Sequence, residues 1–268
     1  MSKYLERTLI ILVFSYVLLL IAAPIAALVF GAFRNGLGAV LQSLTAPDVI
    51  SSFVRTLWIG VLVVGVHVAF GTTVAWVLVR HRFAGRGILN ALIDMPFAIS
   101  PVVVGYMLLL LFGRNGIFSP LLETFGIRVA FALPGMVMAT LFVTLPFMIR
   151  ELVPVLEEFN IQQEKAAATL GANGLQTFWR VTLPALRWGF IYGITLTFAR
   201  ALGEFGAVLV IGGGIQGRTE TSTLYIYRAL DEREYIGAYS AALALGMFSF
   251  LLVMGTDFIR RVKKLESE

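Results

Sequence analysis

Four groups of residues in this chain have types and spacings that could do chemistry. The octapeptide running from Gly212 to Thr219 (GGGIQGRT) has the glycine spacing of a phosphate cradle, with Arg218 where a P-loop carries lysine. Such a loop binds a nucleotide only between a strand and a helix of a soluble α/β domain, so its surroundings decide its meaning. Arg200 and Glu204 stand at i and i+4, the spacing of an intrahelical ion pair. Asp94, Pro96, Ser100 and Pro101 combine a carboxylate with two residues that break backbone hydrogen bonding. His67 and His81 are the only histidines, and there is no cysteine, so disulfides and thiolate metal sites are excluded.

The elements that must carry these groups are apolar. The chain of 268 residues is 58% hydrophobic and 14% charged, whereas a soluble domain carries about 25% charged residues. Its mean hydropathy is +0.86. Six continuous apolar blocks, at 8–33, 56–79, 88–112, 131–149, 189–211 and 237–259, approach or exceed the roughly 20 helical residues that cross a hydrocarbon core. Barrel strands would alternate, and these blocks do not, so the expected fold is all-α with six transmembrane helices in a single domain spanning 1–268. The first block is too long for the apolar region of a signal peptide and lacks an A-x-A site, which makes it an uncleaved span.

Lys and Arg set the expected orientation. With the N-terminus inside, the inner segments hold Lys3 and Arg7, then Arg80, Arg82 and Arg86, then Arg150, Lys165, Arg180 and Arg187, and finally Arg260, Arg261, Lys263 and Lys264. The outer segments hold Arg34, Arg55, Arg114, Arg128, Arg218, Arg228 and Arg233. The bias toward one side places both termini in the cytoplasm. GGGIQGRT then falls on the outer face, where there is no ATP, and reads as a glycine-rich loop that ends a helix. Tyr4, Trp76, Trp179, Trp188 and Tyr192 lie near the expected boundaries and read as interface anchors.

The inner segment 150–188 carries more than a connection. Residues 162–170 are good helix formers, including three successive alanines, and Gly171 and Gly174 then stop the helix. A helix this short is not stable alone. Its small side chains suit either close docking into another protein or packing against the ends of its own spans.

The stretch from Glu164 to Pro184 resembles the cytoplasmic EAA signature of ABC importer membrane subunits. Ala166, Ala167, Gly171, Val181, Leu183 and Pro184 match that pattern, whereas the family's glutamate falls on Lys165 and the acidic residue stands one place earlier, at Glu164. IDMPFAISPVVVGYM (93–107), FALPGMVMATLFVTLPFMIRELVPV (131–155) and ARALGEFGAV (199–208) are similar to sulfate/thiosulfate importer permeases of the W type. The resemblance implies the type I ABC importer permease fold and a site for coupling to the ATPase at Glu164, Lys165, Ala166, Ala167 and Gly171. It implies no cofactor in this chain, with ATP and Mg held by cytoplasmic ATP-binding subunits. The other implied partners are a second permease subunit of the T type, an external sulfate-binding protein and the lipid bilayer of a bacterial inner membrane, with no nucleic acid. Molybdate and tungstate permeases share much of the last motif and are the alternative.

Charges inside a span are costly and need partners or water. One reading makes Arg200 an attractor for a dianion in a translocation path with Gly203, Glu204, Pro96 and Ser100. The other has Arg200 and Glu204 neutralise each other at a helix interface, and the stripe Gly189, Gly193, Thr197, Ala201 suits such an interface. His67, among Val66, Val68 and Ala69, reads as a packing residue. An intramembrane enzyme would need a nucleophile and base in recognisable spacing at membrane depth, and the chain offers none. The expected role is therefore transport rather than catalysis; a simple channel would not need the alanine-rich inner helix.

Overall fold

The computed structural model describes residues 3–265, with side chains from residue 5 to residue 259. The anchor expected at Tyr4 and the basic side chains of Lys3, Arg260, Arg261, Lys263 and Lys264 lie outside the described side chains. The regular elements among the described residues are all helical. In chain order they are α1 (Lys3–Phe33), α2 (Gly36–Leu44), α3 (Pro47–Val66), α4 (Thr72–Arg80), α5 (Arg86–Ala98), α6 (Pro101–Phe112), α7 (Ser119–Thr124) and α8 (Leu133–Glu158). They continue with α9 (Gln162–Thr169), α10 (Gly174–Thr177), α11 (Leu183–Leu202), α12 (Gly206–Gly212), α13 (Ser222–Asp231) and α14 (Tyr235–Leu265). Single π-helical turns, His67–Gly71 and Phe178–Thr182, join α3 to α4 and α10 to α11.

Among the described residues four helices are long and apolar enough to cross a membrane: Leu5–Phe33, Pro47–Arg80, Leu133–Glu158 and Tyr235–Ile259. Counting each of two bent pairs as one span brings the number to six. The blocks at 88–112 and 189–211, read from sequence as single helices, are these bent pairs. α5 and α6 meet at 111°, and the helix ending at Leu202 meets α12 at 56°. At the first break Ile99 and Ser100 are extended, as expected for the residues leading into Pro101. Pro96 does not break α5; it sits buried in the last turn. At the second break Gly203 ends α11 and Phe205 opens α12.

α3 and α8 run well past their apolar blocks because polar side chains are satisfied locally. α3 begins at Pro47 instead of 56: Ser51 and Ser52 donate to the carbonyls of Asp48 and Val49, and Arg55 reaches the carbonyl of Gly217. α8 passes 149 and reaches Glu158, since Arg150 is held by Asp94 while Leu152 and Leu156 are fully buried. α8 is the central post, packed by α3, α4, α5, α6, α11 and α12. The small-residue stripe of α11 forms the seam with it. A Cβ on Gly193 would come 2.5 Å from the Met148 sulfur, and one on Gly189 3.1 Å from Val155, so only small residues allow this approach.

The hydroxyls of the post return to its own backbone, Thr140 to the Met136 carbonyl and Thr144 to the Thr140 carbonyl. His67 Nε2 lies 2.9 Å from Thr144 Oγ1, which makes this buried histidine a hydrogen-bonded packing residue. Tyr192, expected as an interface anchor, instead donates to Asp257 of α14. α1 is different in kind: Phe14, Leu19 and Phe30 are about 70% exposed, and only its last turns pack, where Gly31 admits the ring of Tyr239.

Candidate functional site

The glycine loop is closed on itself. Gly213, Gly214 and Gly217 take φ of +70°, +58° and +70°, values that suit glycine. Thr219 Oγ1 donates to the Gly212 carbonyl at 2.6 Å and accepts from Ile215 N at 3.0 Å. A helix precedes the loop where a nucleotide cradle needs a strand, and Arg218 is exposed. Arg55 ties the loop to α3 through the carbonyls of Gly217 and Glu220. Beyond it Glu220, 1% exposed, meets Arg228 Nε at 2.6 Å, and Arg228 also holds Glu232 at 2.7 Å and Asp48 at 3.2 Å. The hydrogen bond to Glu220 raises the Arg228 guanidinium pKa further above its ordinary value, so this hub stays charged.

The two breaks meet. Gly206, the first residue of α12, faces Pro101 and Val102, where a Cβ would lie 3.3 and 3.1 Å from the side chains. One turn along, Gly105 of α6 brings the helix so near α12 that a Cβ would stand 2.6 Å from the Ala207 carbonyl oxygen. Ser100 and Gly203 occupy the two breaks and are both exposed. Glu204 is 3% exposed: Oε1 accepts from Ala207 N at 3.0 Å and so caps α12, while Oε2 faces Arg200 Nη2 at 2.8 Å. The Glu204 carbonyl accepts from Thr223 at 2.7 Å. Arg200, Gly203 and Glu204 are therefore brought together at the second break, next to the break that holds Ser100, whereas Pro96 is buried inside α5. Arg200 remains partly exposed, with 29% of its side chain accessible. The arrangement can present a cation beside two stretches of irregular backbone, with the neighbouring carboxylate neutralised.

The residues from Glu164 to Gly171 divide by direction. Glu164 Oε1 lies 3.3 Å from Arg80 Nη2 and accepts from Thr182 Oγ1 at 2.9 Å, which joins α9 to the end of α4 and to the π-turn before α11. Lys165 and Ala166 are exposed, and Ala167 is half-buried. Gly171 has φ +89° with open space around its α-carbon, and the amides of Gly171 and Ala172 return to the carbonyls of Ala168 and Ala167. Asn173 and Gln176 then form a reciprocal capping box that starts α10. Beside α9 is a cleft of about 310 Å³ lined by Ala167, Leu170, Gly171, Gln176, Arg180 and Val181. Leu170 is 88% exposed and Leu175 70%.

Arg80 and Thr182 were not singled out as site residues by sequence reasoning, because nothing in their local pattern shows that α9 folds back onto them. The Asn173-x-x-Gln176 spacing was visible and signals the cap. Among the described residues no cluster of three or more His, Asp or Glu could hold a metal ion.

Long apolar helices, with two of the spans bent and one short helix exposed beside them, make this a membrane-spanning helical bundle. The family model described as "binding-protein-dependent transport system inner membrane component" matches residues 67–262, and the chain belongs to that family of ABC importer permeases. It is 46% identical over 239 residues to the sulfate transport system permease protein CysW of Synechococcus elongatus, covering 89% of this chain and 84% of the relative. Identity to the sulfate transport system permease protein CysT of Salmonella typhimurium is 37% over 245 residues, 91% of this chain and 88% of the relative, which places the chain nearer the W type. The fold matches a chain of a bacterial alginate ABC transporter, crystallised with an alginate pentasaccharide-bound periplasmic protein, at TM-score 0.76 and 18% identity over 98% of this chain and 96% of that one.

Proposed function

We propose that this chain is the permease subunit of an ATP-driven importer for sulfate or thiosulfate in a bacterial cytoplasmic (inner) membrane, with both termini inside. It pairs with a second permease of the T type, receives its anion from an external sulfate-binding protein, and couples to separate ATP-binding subunits that hold ATP and Mg. The observation that carries the reading is the α9–α10 segment. Its Leu170 and Leu175 project beyond the bundle beside a cleft, on a chain related throughout to sulfate permeases.

In this reading the residues at Glu164, Lys165, Ala166, Ala167 and Gly171 form the coupling element, with Glu164 as its internal tether. The path runs past the paired breaks, where Ser100 and Gly203 are exposed and Arg200 offers a guanidinium to a dianion. Irregular backbone is tolerated in a membrane where protein or a water-filled cavity surrounds it, and a glycine or proline break is a natural hinge for alternating access. Ion pairing to Arg200 removes the repulsion that a free carboxylate at Glu204 would exert on an anion.

The test is uptake of labelled sulfate in cells lacking this chain, with and without its restoration and with molybdate as competitor. Loss of sulfate uptake that the chain restores and molybdate does not suppress is expected. Unchanged sulfate uptake in its absence would remove the substrate assignment.

A further inference from the structure

The tether at Glu164 determines the charge left for the partner. Four charged residues lie between Phe159 and Trp188: Glu164, Lys165, Arg180 and Arg187. The Glu164 carboxylate is turned into this chain, between Arg80 and Thr182, and is 16% exposed. Arg187 lies over the Trp188 ring. Lys165 and Arg180 are exposed and take no carboxylate partner among the described residues. Arg180 lines the cleft beside Leu170. The nearest exposed carboxylates along the chain, Glu157 and Glu158, belong to the last turn of α8.

We infer that the ATP-binding partner presents a carboxylate to Lys165, so that the contact at this position pairs a permease cation with a partner anion. The inference rests on the coupling role proposed for α9 and adds its electrostatic sign. The direction follows from the fold: a helix with its only carboxylate bound internally offers its partner cations around an apolar knob. A docking groove with basic residues opposite Lys165 would place like charges together and raise the cost of assembly.

Zero-length carbodiimide coupling tests this, because it joins an amine to a carboxylate only when the two are in contact. It is applied to membranes holding the assembled complex, with a photoactivatable residue at Leu170 in a parallel sample. The expected product links Lys165 to an Asp or Glu of the ATP-binding subunit, is absent in Lys165→Arg, and accompanies capture of the same subunit from Leu170. Lys165→Glu is expected to lower ATP-driven uptake about tenfold, and by more than Lys165→Arg, which keeps the positive charge. Capture from Leu170 without coupling at Lys165, or coupling at Lys165 to Glu157 or Glu158 of this chain, overturns the charge assignment and leaves the docking role standing. Failure to capture the ATP-binding subunit from Leu170 overturns the docking role itself.

Discussion

Glu164 of α9 lies 3.3 Å from Arg80 at the end of α4, and both side chains are at least five-sixths buried. This contact spans 84 positions of sequence and fastens α9 to the end of α4. Breaking a buried pair from one side is expected to cost about 3–5 kcal/mol, whereas replacing both partners by apolar residues is close to neutral. Glu164→Ala is therefore expected to lower the thermal midpoint of the purified complex clearly. Glu164→Gln, which keeps an acceptor for Thr182, should lower it less, and Arg80→Met with Glu164→Met should restore most of it. A double variant no more stable than Glu164→Ala would show that the loss comes from the missing contact itself and not from a stranded Arg80 guanidinium.

Gly171 separates backbone from contact. Its φ of +89° costs an L-residue about 1–2 kcal/mol, yet a side chain there would meet nothing within 4 Å in this chain. Gly171→Asn and Gly171→Ala should therefore both leave the ATP-binding subunit attached, with alanine the less stable of the two. Gly171→Trp should release that subunit on purification, since the bulk projects where the partner is proposed to sit. Full retention of the partner by the tryptophan variant would place docking elsewhere.

How much of this was legible in the sequence follows from the range of each interaction. Apolar runs and a glycine act within a few residues, so the spans and the stop at Gly171 can be read locally. The small stripe Gly189, Gly193, Thr197, Ala201 could be assigned to a seam from spacing alone, and α8 proved to be its partner. The start of α3 was misplaced because Ser51, Ser52 and Arg55 look like loop residues until their carbonyl acceptors are known. The single helices expected at 88–112 and 189–211 failed for a related reason, since hydropathy is blind to direction and cannot register a bend. The partners of Glu164 were hidden because each lies on another element.

Gly105 tests the meeting of the two breaks. A Cβ there would stand 2.6 Å from the Ala207 carbonyl oxygen, a backbone atom that cannot swing aside. Gly105→Ala should separate α6 from α12 and cost about 1–3 kcal/mol as overpacking. Gly65→Ala, at a position with nothing within 4 Å, is the matched control and should leave stability and uptake unchanged. Equal effects of the two substitutions, measured as thermal midpoint and sulfate uptake, would show that close approach at Gly105 is not required.

Arg200 and Glu204 admit a test that separates structure from transport. Arg200→Gln leaves the carboxylate of Glu204, 3% exposed, without its cation, and should cost about 3–5 kcal/mol. Glu204→Gln keeps an oxygen for the Ala207 amide, and so the cap on α12, while stranding the partly exposed guanidinium; its cost should be smaller. The double variant removes both charges and keeps the cap, so its stability should return to within about 1 kcal/mol of the unmodified chain. Transport by that folded double variant then isolates the guanidinium itself. If Arg200 meets the anion, the KM for sulfate uptake should rise about tenfold or more, as expected for loss of a charge-assisted hydrogen bond. An unchanged KM in a variant of restored stability would confine the pair to holding α11 against α12.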